Sequence, residues 1–413
     1  MRIVVAHNYY QQPGGEDVCV AAEMAMLEAH GHEVVLFALD NDAIEGIGRF
    51  DLAVRTVWSR PAALALERLL RQHRAQIVHF HNTFPLLSPA AYYAARRTGA
   101  AVVQTLHNFR ICCPNALLFR EGAPCESCLG RSFAWPGVLR KCYRGSRLAT
   151  AAAATTSSLH KLIGTWSRCI DAYIALSCFS RERLIQGGLP AARIAVKPNF
   201  VFPDPGAGTG AGGAAVFVGR LSHEKGLDVV LDAWRRLDCS MALQIIGDGP
   251  LSGMVTAAAQ ANPSIQWLGR VPPERVYDRL GEAAFCIVSS QCYENFPRVI
   301  IEAFAKGTPV VASRLGGMAE IVEHGRNGLL FAPGDAAALA HDVSRLASDK
   351  FWLARMRRAA RQDYEERYTA RANHDMLTAT YSAAIERAML RPSAVAAKTP
   401  VAEQQDGRRA RRG

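Results

Sequence analysis

Two carboxylates, Glu294 and Glu302, lie eight positions apart in the largely apolar stretch SSQCYENFPRVIIEAFAKGTPVVAS. The preceding run AFCIVSS predicts a buried strand, so Glu294 lies in the loop beyond its carboxyl end. With Asn295 as N-cap and Pro297 in the first turn, the next helix runs to Gly307. Because helical side chains point back towards the helix start, both carboxylates can accept hydrogen bonds from paired sugar hydroxyls. A capping acid and a surface acid are the alternative, which would leave Glu302 half buried without a partner.

Two cations follow another apolar strand pattern, AVFVGR. Arg220 lies at the end of this strand, and Lys225 precedes Gly226, which opens the helical pattern GLDVVLDAWRRL. Cations beside a helix N-terminus suit a diphosphate, because the free N–H groups and the helix dipole add to their charge. Without further support, solvated surface charges would be the simpler interpretation.

Length and composition indicate a globular protein of two domains. The chain has 413 residues, 49% of them hydrophobic and 21% charged, and a formal net charge of +11. No apolar run reaches the roughly 18 residues that a membrane span needs, and the N-terminal MRIVVAHNYY reads as a first strand. We therefore expect a cytoplasmic protein with mostly reduced cysteines. Its positive charge suits phosphates, an anionic membrane surface or nucleic acid, or is simply a basic surface.

Short β-branched runs alternate with helical patterns along both halves of the chain, which predicts parallel sheets covered by helices on both faces. The expected fold is α/β, with two doubly wound domains facing each other across a cleft. We expect a first domain over residues 1–203, a Gly-rich linker over 204–214 and a second domain over 215–350. Helices over 351–390 would pack back across the cleft, and a disordered basic tail would cover 391–413. Ligands of such sheets bind beyond the carboxyl ends of the strands.

The segments GRLSHEKGLD and ENFPRVIIEAFAKGTPVVASRLGGMAEIVEHGRNGLLF resemble the donor domain of retaining glycosyltransferases of family 4, which have the GT-B fold. The likeness extends over roughly residues 1–380, and its Glu-x7-Glu pattern is highly specific. The resemblance implies that Glu302 holds the donor's ribose hydroxyls and Glu294 the transferred sugar. It also implies that Arg220 and Lys225 bind the diphosphate of a nucleotide diphosphate sugar.

Further donor contacts are implied by the same resemblance. The base would be received by backbone around Gly269, Arg270 and Val271. Phe296, Pro297 and Arg298 follow Glu294 in the loop where such enzymes offer backbone N–H groups to sugar and phosphate.

The first half of the chain supplies two more candidate elements. Gly14 and Gly15, in QQPGGEDVCVAAEM, lie between the first strand and helix, where a ligand can approach the backbone closely. A simple turn is the alternative. The resemblance implies that this loop lies near the donor phosphate and the acceptor. It also implies that His107, which follows the strand pattern VVQTL, lies near the transferred sugar.

A cysteine-rich segment follows directly, at about residues 107–147. It carries five cysteines and seven basic against two acidic residues, and resembles an insert of bacterial polysaccharide glycosyltransferases, which places it on the acceptor side. Its spacing C-x11-C-x2-C-x13-C is compatible with a structural zinc site formed by Cys113, Cys125, Cys128 and Cys142. Cys112 competes as the first ligand, and four reduced thiols without metal are the alternative.

The expected activity is retaining transfer of a sugar from a UDP- or GDP-sugar to a glycan or lipid-linked oligosaccharide, in polysaccharide biosynthesis. No catalytic metal is expected, because cations and a helix N-terminus can neutralise the diphosphate. The acceptor could bring the protein to the inner face of the plasma membrane. A GT-B nucleotide-sugar epimerase or phosphorylase and a noncatalytic binding protein are the alternatives. The basic tail GRRARRG is not accompanied by a nucleic-acid motif, so no nucleic-acid partner is expected.

Overall fold

The computed structural model describes residues 1–12, 14–237 and 241–391. The expected basic tail therefore lies outside the described residues, apart from Arg391. The two expected α/β domains are confirmed: each is built on a six-stranded parallel sheet.

The sheet of the first domain has the order β2-β1-β3-β4-β7-β8. Its strands are short and β-branched, and most are buried on both faces, as sheets covered by helices require. The strands of this half, with a two-residue antiparallel hairpin between the fourth and fifth of the sheet, are β1 (Arg2–Tyr9), β2 (Glu33–Asp40), β3 (Ile77–Phe80), β4 (Ala101–Leu106), β5 (Phe119–Arg120), β6 (Ala123–Pro124), β7 (Ala172–Ala175) and β8 (Ile194–Val196).

Eight helices surround this sheet in the described part of the first half. They are α1 (Gly15–Ala29), α2 (Arg49–Val57), α3 (Arg60–Gln72), α4 (Ala90–Thr98), α5 (Trp135–Leu139), α6 (Arg147–Leu162), α7 (Thr165–Arg168) and α8 (Cys178–Gln186). Short 3₁₀ helices occur at Asn41–Gly46 and Ala191–Arg193.

The sheet of the second domain has the order β11-β10-β9-β12-β13-β14. Its strands are β9 (Ala215–Val218), β10 (Leu243–Ile246), β11 (Ile265–Gly269), β12 (Phe285–Val288), β13 (Val310–Ser313) and β14 (Gly328–Phe331). Its helices are α9 (Leu227–Arg236), α10 (Ser252–Ala261), α11 (Pro273–Glu282), α12 (Arg298–Ala305), α13 (Met318–Ile321) and α14 (Ala336–Ser348), with a 3₁₀ turn at His223–Lys225.

Two long helices, α15 (Lys350–Arg367) and α16 (Ala370–Met389), end the described chain. Helix α15 packs on α12 of the second domain, whereas α16 returns to the first sheet. Leu377, Tyr381 and Ala384 of α16 are fully buried in one cluster with Ile3 and Val5 of β1. The last helix thus supplies part of the first domain's core.

Arg391 also belongs to the fold, one residue beyond the expected end of the helical region. Its guanidinium pairs with the buried carboxylate of Asp171 and donates to the carbonyl of Ala100. No helix within the described residues has the length and apolarity that crossing a membrane requires.

The Gly-rich segment at 204–214 is bonded to the second domain. The N–H groups of Gly208, Gly210 and Gly212 donate to carbonyls of Lys306, Gly281 and Glu282, respectively. A Cβ on Gly208 would come 2.2 Å from the Cα of Gly281, so only glycine allows this close backbone approach. The segment thus packs as an edge of the second domain.

The carboxylate of Glu320, in the second domain, binds to the first domain. Glu320 of α13 accepts hydrogen bonds from the backbone N–H groups of Cys178 and Phe179, at 2.9 and 3.0 Å. These N–H groups begin α8, where an acceptor satisfies otherwise unpaired donors and suits the helix dipole. The second domain therefore caps a helix of the first.

Candidate functional site

The second sheet reverses its strand order between β9 and β12. Helices that follow these two strands lie on opposite faces of the sheet, which leaves a crevice beyond their carboxyl ends. Lys225 lies in the loop after β9, and Glu294 lies in the loop after β12. The carboxylate and the cation chosen from separate sequence motifs therefore meet at the position where such sheets bind ligands.

Lys225 and Glu294 form an ion pair, with 2.5 Å between Nζ and Oε1. Ser290 donates to the same carboxylate oxygen at 2.7 Å. Burial opposes ionisation of Glu294, but Lys225 and Ser290 outweigh it and lower the pKa of the carboxyl. Both side chains are thus held charged in the crevice.

Gly226 places this lysine close to β12. Its φ is +68°, and a Cβ would come 2.0 Å from the carbonyl oxygen of Ser289, so any other residue would push the loop away. Gly226 is also the N-cap of α9, which confirms that Lys225 lies beside a helix N-terminus.

Glu302, in the second turn of α12, pairs with Arg298 of the first turn at 3.0 Å. We expected that a simple surface acid at position 302 would be half buried without a partner. This was wrong, because the side chain of Arg298 pairs with it. Tyr277 of α11 lies beside the pair, and burial and the charge of Glu302 raise its pKa to about 12. The guanidinium of Arg298 also contacts the first domain, 3.5 Å from Sγ of Cys19.

The start of α12 differs from the sequence prediction. Pro297 is the N-cap, and the helix begins at Arg298. Asn295 does not cap it, because its amide donates across the cleft to the carbonyl of Leu106, at 3.3 Å. Since Leu106 precedes His107 and Asn295 follows Glu294, this bond brings the two predicted catalytic residues to facing edges of the two domains.

Gly14 and Gly15 lie at the beginning of α1, on the first-domain side of the cleft. Gly14 is the N-cap, and its N–H donates to the carboxylate of Asp17 at 2.8 Å. A Cβ on Gly15 would lie 3.6 Å from Cδ of Arg298. The glycine loop of the first domain thus touches the arginine that pairs with Glu302.

A cavity of about 80 Å³ opens beside His107 in the first domain. Its lining combines aromatic rings with the polar side chains of Glu16, His81, His107 and Arg110. The guanidinium of Arg110 lies over the ring of Phe84, 4.2 Å from its centroid. Burial raises the pKa of Glu16 to about 7, although His7 and Tyr10 oppose this shift. The cavity therefore offers apolar surface with both an acid and a base.

The start of the cysteine-rich segment, from His107 to Ile111, lines this cavity. Tyr143 of the same segment packs on the guanidinium of Arg110, whose Cζ lies 5.0 Å from the ring centroid. The segment contains the β5–β6 hairpin and α5. The four candidate ligands do line one smaller cavity: Cys113, Cys125, Cys128 and Cys142. However, among the described residues the ligand atoms that lie within 4.8 Å of one another belong to Glu23, His79 and His81, and no three of these cysteines meet that distance. The four sulfurs are therefore more widely spaced than in a metal complex.

The other predicted donor residues occupy the rim of the crevice. Arg220 is exposed after β9, and Arg270 is exposed after β11, which ends at Gly269. Val271 packs partly against the core, and Phe296 is buried in it. The described contacts do not join Arg220 or Arg270 to the Lys225–Glu294 pair.

Three residues near the site escaped the sequence analysis: Glu16, Glu23 and His81. Nδ1 of His81 lies 2.9 Å from Nε2 of His107. The motif VHFHN at the end of β3 was a signal for His81, because polar residues at a strand's carboxyl end face the ligand side. Glu23 gave no such signal, since one acid in a helix usually indicates an exposed face.

Two family models match successive parts of the chain. Residues 14–199 match the "Glycosyl transferase 4-like domain", and residues 213–349 match "Glycosyl transferases group 1". The first range begins after β1 and contains the other strands of the first sheet, and the second range contains the whole second sheet.

The chain is also similar to individual curated proteins. It is 33% identical over 195 residues to an exopolysaccharide phosphotransferase of Streptomyces coelicolor, covering 45% of this chain and 20% of that protein. It is 26% identical over 309 residues to the 2-deoxystreptamine glucosyltransferase of Streptomyces kanamyceticus, covering 72% and 75%. The chain spans only a fifth to two fifths of the length of the first six curated relatives it matches.

Solved structures share the fold. Anabaena Alr3699/HepE, crystallised in complex with UDP, has a TM-score of 0.66 at 18% identity, covering 92% of this chain and 100% of that one. Sucrose-phosphate synthase of Thermosynechococcus elongatus has a TM-score of 0.70 at 17% identity, covering 92% and 98%. At these identities the likeness concerns the arrangement of the two domains.

Proposed function

Because the chain belongs to the glycosyltransferases of the GT-B fold, we propose that it transfers a sugar from a nucleotide diphosphate sugar to a glycan or lipid-linked acceptor. The observation that carries the proposal is the pairing of Lys225 with Glu294 and of Arg298 with Glu302 at the crevice of the second sheet. Both pairs present a cation and a carboxylate together. Such a set can bind phosphates and hydroxyls of one ligand.

The donor would lie across the crevice, with its diphosphate near Lys225, Arg298 and the start of α9. Glu302 would accept hydrogen bonds from the ribose, and Glu294 from the transferred sugar. Arg220 would reach the diphosphate from the rim, and the loop at Gly269–Val271 would receive the base. That Alr3699/HepE was crystallised with UDP and with UDP-glucose supports a uridine donor for this chain.

Transfer would proceed with retention of the anomeric configuration. The bond between the anomeric carbon and the diphosphate oxygen breaks, and negative charge grows on that oxygen. Lys225 and Arg298 stabilise this charge, as preorganised cations do in a site that excludes water, so no metal ion is needed on the diphosphate. The acceptor hydroxyl attacks from the leaving-group face and passes its proton to the departing phosphate. His107 contacts the transferred sugar.

The acceptor would bind in the cavity beside His107. Its aromatic lining suits the apolar face of a sugar ring, while Arg110 and Glu16 supply polar contacts. The names of the relatives, which include a putative teichuronic acid biosynthesis glycosyltransferase of Bacillus subtilis, support a polysaccharide acceptor. A lipid-linked acceptor would bring the basic protein to the inner membrane surface.

A structural zinc ion is the second part of the proposal. The four cysteines line one cavity, and although burial raises the pKa of the Cys113 thiol, the nearby backbone at Leu118, Asn115 and Ala116 opposes this shift. Five of the seven non-glycine residues with positive φ in the described chain lie in this segment. Such conformations persist where surrounding structure holds them, which a metal would provide after drawing the sulfurs closer.

The test of the activity is a panel of UDP- and GDP-sugars, incubated with membrane extract and with a soluble acceptor analogue. Release of nucleotide diphosphate together with a new glycosidic product, whose anomeric configuration is read by NMR, is the expected result. Interconversion of the donor sugar without transfer would favour the epimerase alternative. Binding of nucleotide sugar without turnover would favour a noncatalytic protein.

A further inference from the structure

A buried chain of polar groups leads from α1 to His107. Glu23 of α1 is 4% exposed, and its Oε2 lies 3.0 Å from Nζ of Lys197, which is itself 3% exposed. Its Oε1 lies 2.9 Å from Nδ1 of His79 and 3.3 Å from Nε2 of His81. His81 in turn lies 2.9 Å from His107. The carboxylate of Glu23 is thus connected to His107, the predicted catalytic histidine, through the imidazole of His81.

The contact between Glu23 and His81 is within ion-pair distance, yet its angles do not meet those of a hydrogen bond. Oε1 of Glu23 and Nε2 of His81 are both buried without a hydrogen-bond partner. Unpaired buried polar atoms are costly, and these two face each other. A small ring rotation would join them, which makes each the natural partner of the other.

The charge states of Glu23, His81 and His107 follow from the groups around them. Burial opposes ionisation of Glu23, but Lys197 and His79 outweigh it and hold its pKa well below the usual value. Burial, together with His79, lowers the pKa of His81 to about 4. Burial and His81 hold the pKa of His107 well below its ordinary value. At neutral pH Glu23 is therefore a carboxylate, and the imidazoles of His81 and His107 are neutral.

The direction of the hydrogen bonds is then determined. A carboxylate can only accept, so His81 must carry its proton on Nε2 once the ring rotation joins it to Glu23. Nδ1 of His81 is then an acceptor, and His107 must donate from Nε2. The remaining ring nitrogen of His107, Nδ1, has a free lone pair and is the atom left to meet a ligand.

We propose that Glu23 and His81 are positioning residues that fix His107 as the Nε2–H tautomer, so that its Nδ1 accepts a hydrogen bond from a hydroxyl of the transferred sugar. The inference rests on the proposed function for the sugar, whereas the tautomer itself can be measured without substrate. It assigns His107 the role of acceptor rather than of acid.

A metal ion held by Glu23, His79 and His81 is the competing interpretation, because these ligand atoms lie within 4.8 Å of one another. Lys197 argues against it. Its ammonium occupies the other oxygen of the same carboxylate, and a buried cation repels a second one. His79 is also occupied on both nitrogens, by the hydroxyls of Tyr381 and Thr105 at 2.9 and 2.7 Å.

The decisive variant is Glu23→Gln. Lys197 requires an acceptor, so the amide oxygen of the new side chain should turn to it and its NH₂ group should face His81. The amide then donates to His81, so the hydrogen bonds between residue 23 and His81 and between His81 and His107 both reverse. His107 becomes the Nδ1–H tautomer and presents a donor to the ligand.

The experiment is long-range ¹H–¹⁵N NMR at pH 7 on ligand-free protein labelled at histidine nitrogens, with the His107 signals assigned by their loss in His107→Asn. We expect the Nε2–H tautomer in the wild type and in Glu28→Gln, an exposed control on the same helix, and the Nδ1–H tautomer in Glu23→Gln. In transfer assays Glu23→Gln should lower kcat at least tenfold with little change in the donor KM.

An Nδ1–H or doubly protonated His107 in the wild type overturns the proposal, even if Glu23→Gln does not fold. So does about one metal ion per chain in elemental analysis that Glu23→Gln loses. If the tautomers are as expected but the protein transfers no sugar, only the proposed function fails.

Discussion

The ammonium of Lys225 and the carboxylate of Glu294 lie 2.5 Å apart, although 69 positions separate them in the sequence. Each follows one of the two strands between which the second sheet reverses its order. The pair forms because Gly226 lets the lysine loop approach the backbone at Ser289. It joins the residue proposed for the diphosphate to the residue proposed for the sugar.

Replacing Lys225 tests the donor site directly. Lys225→Ala should lower kcat/KM by at least about 100-fold, because it removes a charge-assisted contact to the diphosphate and leaves Glu294 without its cation. Transfer rates with the best donor of the panel measure the effect. Lys350→Ala, at an exposed lysine that begins α15, is the control. Turnover near that of the wild type would contradict the assignment of Lys225.

Replacing Glu302 separates donor binding from general damage. Glu302→Ala should lower kcat/KM by at least about 100-fold, through loss of the contact to the ribose and release of Arg298. The donor KM should rise while the acceptor KM stays unchanged, as measured by steady-state kinetics on protein whose Tm matches that of the wild type. Glu366→Ala, at an exposed carboxylate of α15, should behave as wild type. A rise in the acceptor KM alone would show that Glu302 contacts the acceptor, which would contradict its assignment to the donor.

The raised pKa of Glu16 predicts how stability depends on pH. Between the ordinary value of 4.5 and about 7, the folded protein keeps this proton while the unfolded chain releases it. The folded state therefore loses stability relative to the unfolded state as pH rises through this window. Glu16→Gln stays neutral and escapes that loss, so its Tm relative to the wild type should increase from pH 5 to pH 8. Thermal unfolding at unit steps measures this, with Glu28→Gln as control. A difference that does not change with pH would show that Glu16 titrates normally.

The zinc proposal is tested by composition. Protein purified without chelator or an affinity metal should contain about one zinc per chain, and Cys128→Ser should lose it. Cys286→Ser, at a buried cysteine of β12, should retain it. Absence of metal, together with four freely titrating thiols in the segment of the native protein, would leave these residues as ordinary reduced thiols. Elemental analysis and thiol titration give both readouts.

Local patterns were sufficient to predict most of the sheets and the donor motifs. β9 and β12 are short apolar runs followed by polar residues, and their carboxyl ends mark the crevice. Helix α10 escaped the analysis because only Val255 among its residues is buried, so no apolar periodicity marks it. Strand β14 also escaped the analysis, although it is as long as β9 and β12.

Contacts across the cleft could not be predicted from the sequence. Asn295 reads as a helix cap, yet it bonds to Leu106, 189 positions away. The pairing of Glu23 with His79, His81 and Lys197 joins three regions of the chain, and nothing in the sequence around Glu23 indicates its partners. Such contacts depend on how the domains pack, and local sequence does not encode packing in a readable form.

The order in which the chain is synthesised has a consequence for the first domain. Tyr381 is fully buried in that domain's core and its hydroxyl contacts His79, but it lies on α16, nearly at the end of the described chain. Domains that emerge first from the ribosome often fold before the rest is made. Here the core stays incomplete until α16 has been translated, so the nascent first domain would expose apolar surface to chaperones throughout the synthesis of the second domain.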